Sequence, residues 1–214
     1  MSAEELSFTH RFIPGEEGNP VTLLLLHGTG ANEDDLIPLG QQLAPGAAIL
    51  SPRGKVSEGG APRFFKRLAE GVFDMEDLAL RTDELAQFIE SAAKHYDFDT
   101  KKLAAVGYSN GANIAGSLML SKPGLLGAAV LLRAMVPFEP EAAPDLSGMP
   151  VFIASATADQ MIPADHAEKL GGILSEAGAD VDQRWVQAGH GLTMPELEQA
   201  RKWLAEALLR ISGD

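Results

Sequence analysis

The chain has 214 residues, 45% of them hydrophobic, enough to bury one substantial core without requiring a second domain. Its formal charge of -13 opposes binding to nucleic acid or to anionic membrane surfaces, where lysine and arginine would have to neutralise phosphates, and points to a small-molecule partner. With no cysteine there is no disulfide framework, no thiolate nucleophile and no sulfur-ligated metal.

The amino end, MSAEELSFTHRF, carries acidic residues and lacks the apolar stretch of a secretory signal, so a cytoplasmic location is expected. Residues 8–13 suit an edge strand. Residues 21–26, VTLLLL, are much too short to span a bilayer and are bounded by Pro20 and His27-Gly28. Continuous apolar runs of this length mark strands covered on both faces of a parallel sheet. Residues 47–50, 103–108, 127–132, 151–154 and 181–187 read as further strands, mostly closed by Gly, Ser or Pro. Between them, Leu78, Leu85, Ile89, Ala92 and Tyr96 share one face of a helix, residues 112–120 are helix-compatible, and Leu197, Leu204, Leu208 and Ile211 share one face of a last helix. This alternation predicts the α/β class: a mostly parallel central sheet flanked by helices, with ligands at the carboxyl ends of the strands. Residues 51–73 form an unusually long connection that mixes turn residues with Phe64, Phe65, Leu68 and Phe73. Such a loop either walls a site or seals a hydrophobic edge, and the sequence leaves both open.

The most informative stretch is LAAVGYSNG, residues 103–111, a strand that runs into Gly107-Tyr108-Ser109-Asn110-Gly111 directly ahead of the 112–120 helix. This is the sequence form of a nucleophile elbow, in which a strand turns sharply into a helix with a strained serine at the apex. A side chain two positions to either side would clash, which is why both flanks are glycine. The bare GxSxG pattern is weak, and it gains meaning only with a base and an acid later in the chain.

Five histidines are candidates for the base. His10 lies in the edge strand, His95 beside Lys94 near a helix end, and His166 early in a helix, all positions that suit surface or capping roles. His27 precedes the serine in the wrong order and is expected to hydrogen-bond within its own loop. His190 lies in Gln187-Ala188-Gly189-His190-Gly191, a glycine-flanked loop between the last strand and the last helix that can carry an imidazole across the sheet edge. The acid is sought between Ser109 and His190, and Asp159, in the loop SATADQMIP, is the best placed. Asp165 looks like a helix N-terminal residue, while Asp145, Asp180 and Asp182 suit turns or a solvent face. The developing oxyanion needs two donors, expected from the backbone N–H of Asn110 and, in His27-Gly28-Thr29-Gly30, that of Thr29.

The segments LLLLHGTGANEDDL, SPRGK, GYSNGANIA, LLRAMVPFEP, SATADQMIP and AGHGLT, spread over nearly the whole chain, resemble the phospholipase/carboxylesterase group of α/β-hydrolases, which includes the acyl-protein thioesterases. The GYSNGAN elbow is more similar to bacterial members. The resemblance implies an α/β-hydrolase fold over residues 1–214 and a serine carboxylesterase with Ser109, Asp159 and His190 as triad, Thr29 and Asn110 as oxyanion donors, and no metal or organic cofactor. No stretch is long enough for a large cap domain, so an open, shallow cleft and short-chain esters are expected, with Phe65, Met161 and Leu192 as candidate walls. Two rivals stand beside this reading: an acyl thioesterase or lysophospholipase using the same triad, and a non-catalytic module that binds a small molecule. The residues do not speak to oligomeric state.

Overall fold

A computed structural model describes residues 6–213. Its strands in chain order are β1 (His10–Ile13), β2 (Thr22–Leu26), β3 (Ala48–Pro52), β4 (Val56–Glu58), β5 (Ala61–Arg63), β6 (Arg67–Ala69), β7 (Val72–Phe73), β8 (Leu103–Tyr108), β9 (Ala128–Leu132), β10 (Pro150–Ala156) and β11 (Asp180–Val186). The helices are α1 (Ile37–Leu43), α2 (Met75–Tyr96), α3 (Asn110–Ser121), α4 (Ala164–Glu176) and α5 (Met194–Ser212).

Seven strands form one sheet in the order β1-β3-β2-β8-β9-β10-β11. Only β1 runs antiparallel, pairing with β3 at the edge, while the other neighbours are parallel. The apolar runs divide between the two faces with period two, as strand geometry requires. Leu24, Leu26, Ala105, Leu131 and Ile153 enter the core under α2, α3 and α4. Leu23, Leu25, Val106, Val130 and Phe152 enter the core under α5, beside Leu43 of α1. Burying each such leucine contributes about 1.5–3 kcal/mol, so the central strands anchor everything built on their ends. Among the described residues no helix is long and apolar enough to cross a membrane.

The expected strands and long helices are all present, β8 with the expected ends and most of the other strands with shifted ones, and two features depart from the sequence reading. Helix α1 was not anticipated: IPLGQQL is only seven residues long and holds both Pro38 and Gly40. The glycine is there for close approach, since a Cβ at Gly40 would sit 2.8 Å from Leu25 Cδ1 on the sheet. The long connection after β3 is not an unstructured loop but two small hairpins, β4–β5 and β6–β7. Strands of two or three residues are too short to show a period. The connection performs both jobs left open above: Phe64 and Phe65 are buried in the core, and Arg63, Arg67 and Phe73 line a cleft.

The junction of β8 and α3 is tightly packed. A Cβ on Gly111 would lie 1.9 Å from the Leu26 carbonyl oxygen, and one on Gly107 would lie 2.6 Å from the Gly111 oxygen. Neither contact can be relieved without moving backbone. Gly111→Ala is therefore expected to destabilise the protein by about 3 kcal/mol or more, as overpacking against rigid neighbours does. Gly172→Ala, in α4 with open space around its Cβ, should stabilise it by about 0.5–1 kcal/mol. Urea unfolding of the two variants checks both signs.

Candidate active site

The elbow forms as its glycines dictate. Ser109 takes φ 52° and ψ -115°, a strained conformation for a residue with a side chain, between the end of β8 and the first residue of α3. Its N–H donates to Leu132 O (2.9 Å) at the end of β9, and its carbonyl accepts from Asn113 N (3.0 Å), so the turn is fixed by the sheet and by the helix together. The opening amides of α3 have no intrahelical acceptors, and the helix dipole places partial positive charge beside the serine.

His190 lies between Ser109 and Asp159. Its Nδ1–H donates to Asp159 Oδ2 at 2.9 Å, which leaves Nε2 to accept from Ser109 Oγ, also at 2.9 Å. The Asp159 side chain is 1% exposed and that of His190 20%. The other oxygen, Asp159 Oδ1, accepts from the N–H groups of Met161 (2.8 Å) and Ile162 (3.2 Å), so the carboxylate is oriented by its own loop before it meets the imidazole. The loops that carry Asp159 and His190 are also joined through Ala158 N–H, which donates to Ala188 O (3.0 Å). Tyr108 OH donates to His190 O (3.1 Å), and burial pushes the Tyr108 pKa up, keeping the phenol a donor.

Thr29, Ser109, Asn110, Met161 and His190 line one narrow cleft of about 40 Å³ at the carboxyl edge of the sheet. A larger groove of about 440 Å³, lined by Lys101, Leu146 and Arg210, opens at the amino ends of β9 and β10, away from the serine. Of the expected walls, the structure brings only Met161 to the cleft. Phe65 is fully buried, edge-on to Phe73 at a centroid distance of 4.9 Å, so it supports the wall from behind. Leu192 packs on the opposite face of the sheet with the α5 core. Nearness in sequence to a site loop suggested both, but the chain turns between the loop's tip and those side chains. Phe73, Met135 and Ile162 form the apolar wall with Met161, and Arg63 and Arg67 supply cationic groups that share the carboxylate of Glu58.

Of the remaining candidates, Asp165 lies in the first turn of α4 and His95 in the last turn of α2, as expected. His10 bonds Tyr96 OH at 2.7 Å. His27 is buried, donates from Nδ1 to Gly28 O (2.7 Å) and accepts at Nε2 from Gly54 N–H (3.0 Å). It thereby braces the Gly28-Thr29-Gly30 loop as a neutral ring. Asn110 Oδ1 accepts from Phe64 N–H (2.7 Å), tying the hairpin connection to the elbow.

Sequence reasoning missed the buried ion pair between Arg133, just past β9, and Glu196, in the first turn of α5. Two signals were available. An arginine directly after an apolar strand demands a partner when buried, and Thr193-Met194-Pro195-Glu196 has the spacing of a capping box, which the structure forms.

Burial pushes the His27 pKa below its ordinary 6.5. The unfolded chain therefore takes up this proton first, and the stability present above about pH 6.5 is lost as pH falls through the lower folded value. The urea midpoint of the wild type should drop between about pH 7.5 and 5.5, and that of His27→Gln, which keeps a donor and an acceptor but cannot titrate, should drop less. Parallel curves would contradict a neutral buried imidazole at this position.

Comparison with known proteins agrees with this architecture. The family model for dienelactone hydrolases matches residues 61–209. The MhqD protein of Bacillus subtilis (strain 168) is 46% identical over 200 residues, 94% of this chain and 99% of its own. Among solved structures, the Bacillus cereus carboxylesterase superposes with a TM-score of 0.92 at 47% identity, covering 94% of this chain and 95% of that one. A carboxylesterase from Mesorhizobium loti gives 0.88 at 34% identity, covering 94% and 96% of the two chains. The α/β-hydrolase resemblance carried by the motifs is thus borne out, and the chain belongs to the dienelactone hydrolase family.

Proposed function

We propose that the protein is a serine carboxylesterase that cleaves short-chain carboxylic esters through an acyl-enzyme. The observation that carries this reading is the unbroken hydrogen-bonded chain from Ser109 Oγ through His190 to Asp159, with both links at 2.9 Å. His190 Nε2 takes the Ser109 proton as Oγ attacks the ester carbonyl, and the Asp159 carboxylate stabilises the imidazolium that forms. The carbonyl oxygen becomes an oxyanion held by the backbone N–H groups of Thr29 and Asn110. As the tetrahedral intermediate collapses, His190 returns the proton to the departing alkoxide and an alcohol leaves. Water then enters and attacks the acyl carbon as it gives a proton to His190, which passes that proton to Ser109 Oγ as the acid departs.

The short-chain preference rests on the cleft. At about 40 Å³ it is far smaller than the roughly 300–1,000 Å³ that enclose drug-sized ligands, and Phe73, Met135, Met161 and Ile162 close it with apolar side chains that suit a small acyl group. The relatives named carboxylesterases support an ester as the substrate.

With a short-chain ester as substrate, Ser109→Ala and His190→Ala should each lower kcat/KM by about 10³-fold or more, and the double variant should be no worse, because the two residues act as one unit. Asp159→Asn should cost about 10²- to 10⁴-fold, while Asp165→Asn should leave turnover near wild type. Retention of more than about a hundredth of wild-type turnover in either alanine variant would overturn the assignment of nucleophile and base.

A further inference from the structure

We propose that Arg133 is the residue that positions the catalytic base, acting on His190 through the two peptide carbonyls that flank it; this rests on the reading of His190 as base. Arg133 stands immediately after β9, is 1% exposed, and takes φ 57°, a conformation that residues with side chains rarely hold. All five guanidinium N–H groups are used. Nε donates to Gly189 O (3.1 Å) and Nη2 to Gly191 O (2.9 Å), so the carbonyls on both sides of His190 converge on one planar group. Nη1 donates to Ala154 O (3.2 Å) in β10, the strand that delivers Asp159. The remaining N–H of each terminal nitrogen goes to Glu196, with Nη1 to Oε2 and Nη2 to Oε1, both 2.8 Å.

The His190 carbonyl between those two accepts from Tyr108 OH (3.1 Å), so three consecutive carbonyls of the base loop are each held by a side chain. This loop has two glycines and no regular structure, and its backbone bonds at Ala188, N–H to Val186 O and O from Ala158 N–H (both 3.0 Å), stop two residues short of His190. Arg133 also touches the other two parts of the site. Its own N–H donates to Ala154 O (3.0 Å), and the Leu132 carbonyl just before it accepts from Ser109 N–H (2.9 Å). One buried guanidinium therefore sets the base loop relative to the acid strand, from a residue whose backbone is pinned to the nucleophile. Glu196 has a different task. It neutralises the buried charge and, by accepting from Thr193 N–H, closes the capping box of α5.

This division of labour separates positioning from stability. Arg133→Lys keeps a cation opposite Glu196, but three donors on a point charge cannot reproduce a fork across Gly189, Gly191, Ala154 and the carboxylate. Glu196→Gln leaves the carbonyl contacts of Arg133 in place and removes the countercharge. Measured on the full chain with a short-chain ester, Arg133→Lys should lower kcat about 100-fold, the cost of a base misplaced by about 1 Å, with KM within about threefold and a urea midpoint somewhat below wild type because buried carbonyls lose their donors. Glu196→Gln should lower the urea midpoint more than Arg133→Lys does and lower kcat less. A purely structural ion pair gives the opposite pattern, in which kcat follows stability across the two variants, and that result would overturn the proposal. His190→Ala, measured alongside, keeps the two claims apart. If it is inactive and Arg133→Lys retains more than a third of wild-type kcat, the base assignment stands and the positioning claim falls; if His190→Ala retains turnover, both fall.

Discussion

The backbone contact between the first turn of α3 and the end of β2 governs the rest of this structure. Gly111 lies so close to the Leu26 carbonyl that no side chain fits between them. That approach forces β8 to turn at once into α3, and the turn holds Ser109 at a positive φ with its Oγ clear of the sheet. The strain persists because the neighbouring backbone over-determines it: Leu132 O and Asn113 N–H both bond the serine's peptide groups. Loss of the contact would displace Ser109, the helix end behind it and the edge on which the cleft is built.

Parallel strands deliver the remaining parts to the same edge. β10 leads into the loop of Asp159, β11 into the loop of His190, and β2 into the Gly28-Thr29-Gly30 loop; His190 bonds both Asp159 and Ser109, and Thr29 lines the same cleft. Most of the polar groups around them are matched, although the buried Asn110 Nδ2 has no partner among the described residues. The Asp159 carboxylate is oriented by two backbone amides, His27 is satisfied at both nitrogens, and the guanidinium of Arg133 has no idle donor. In a buried setting an unmatched member of such a network costs more than it contributes, so these three groups hold the site by acting together rather than by any one strong bond.

The sheet was legible in the sequence because its strands are buried on both faces and therefore appear as unbroken apolar runs such as VTLLLL. Ser109, His190 and Asp159 could be picked out because chain order and loop position leave few choices, and the structure brings those three into one hydrogen-bonded chain. What stayed hidden depends on contacts between distant segments. α1 exists through packing on Leu25, the hairpins after β3 through pairings of two or three residues, and the Arg133–Glu196 pair spans more than sixty positions. Phe65 and Leu192 mark the limit of arguing from proximity along the chain, since one lies behind the cleft wall and the other on the far face of the sheet.

The central claim is that Ser109 carries the acyl group between two half-reactions, and it is tested most directly by trapping that intermediate. A short-chain ester mixed with the wild-type protein, acid-quenched within milliseconds and analysed by peptide mass spectrometry, should show the mass of the acyl group on the peptide containing Ser109, preceded by a burst of released alcohol wherever deacylation is the slower step. An acyl adduct on a different residue, or turnover in which quenched protein gains no mass while product release shows deacylation to be limiting, would contradict the account.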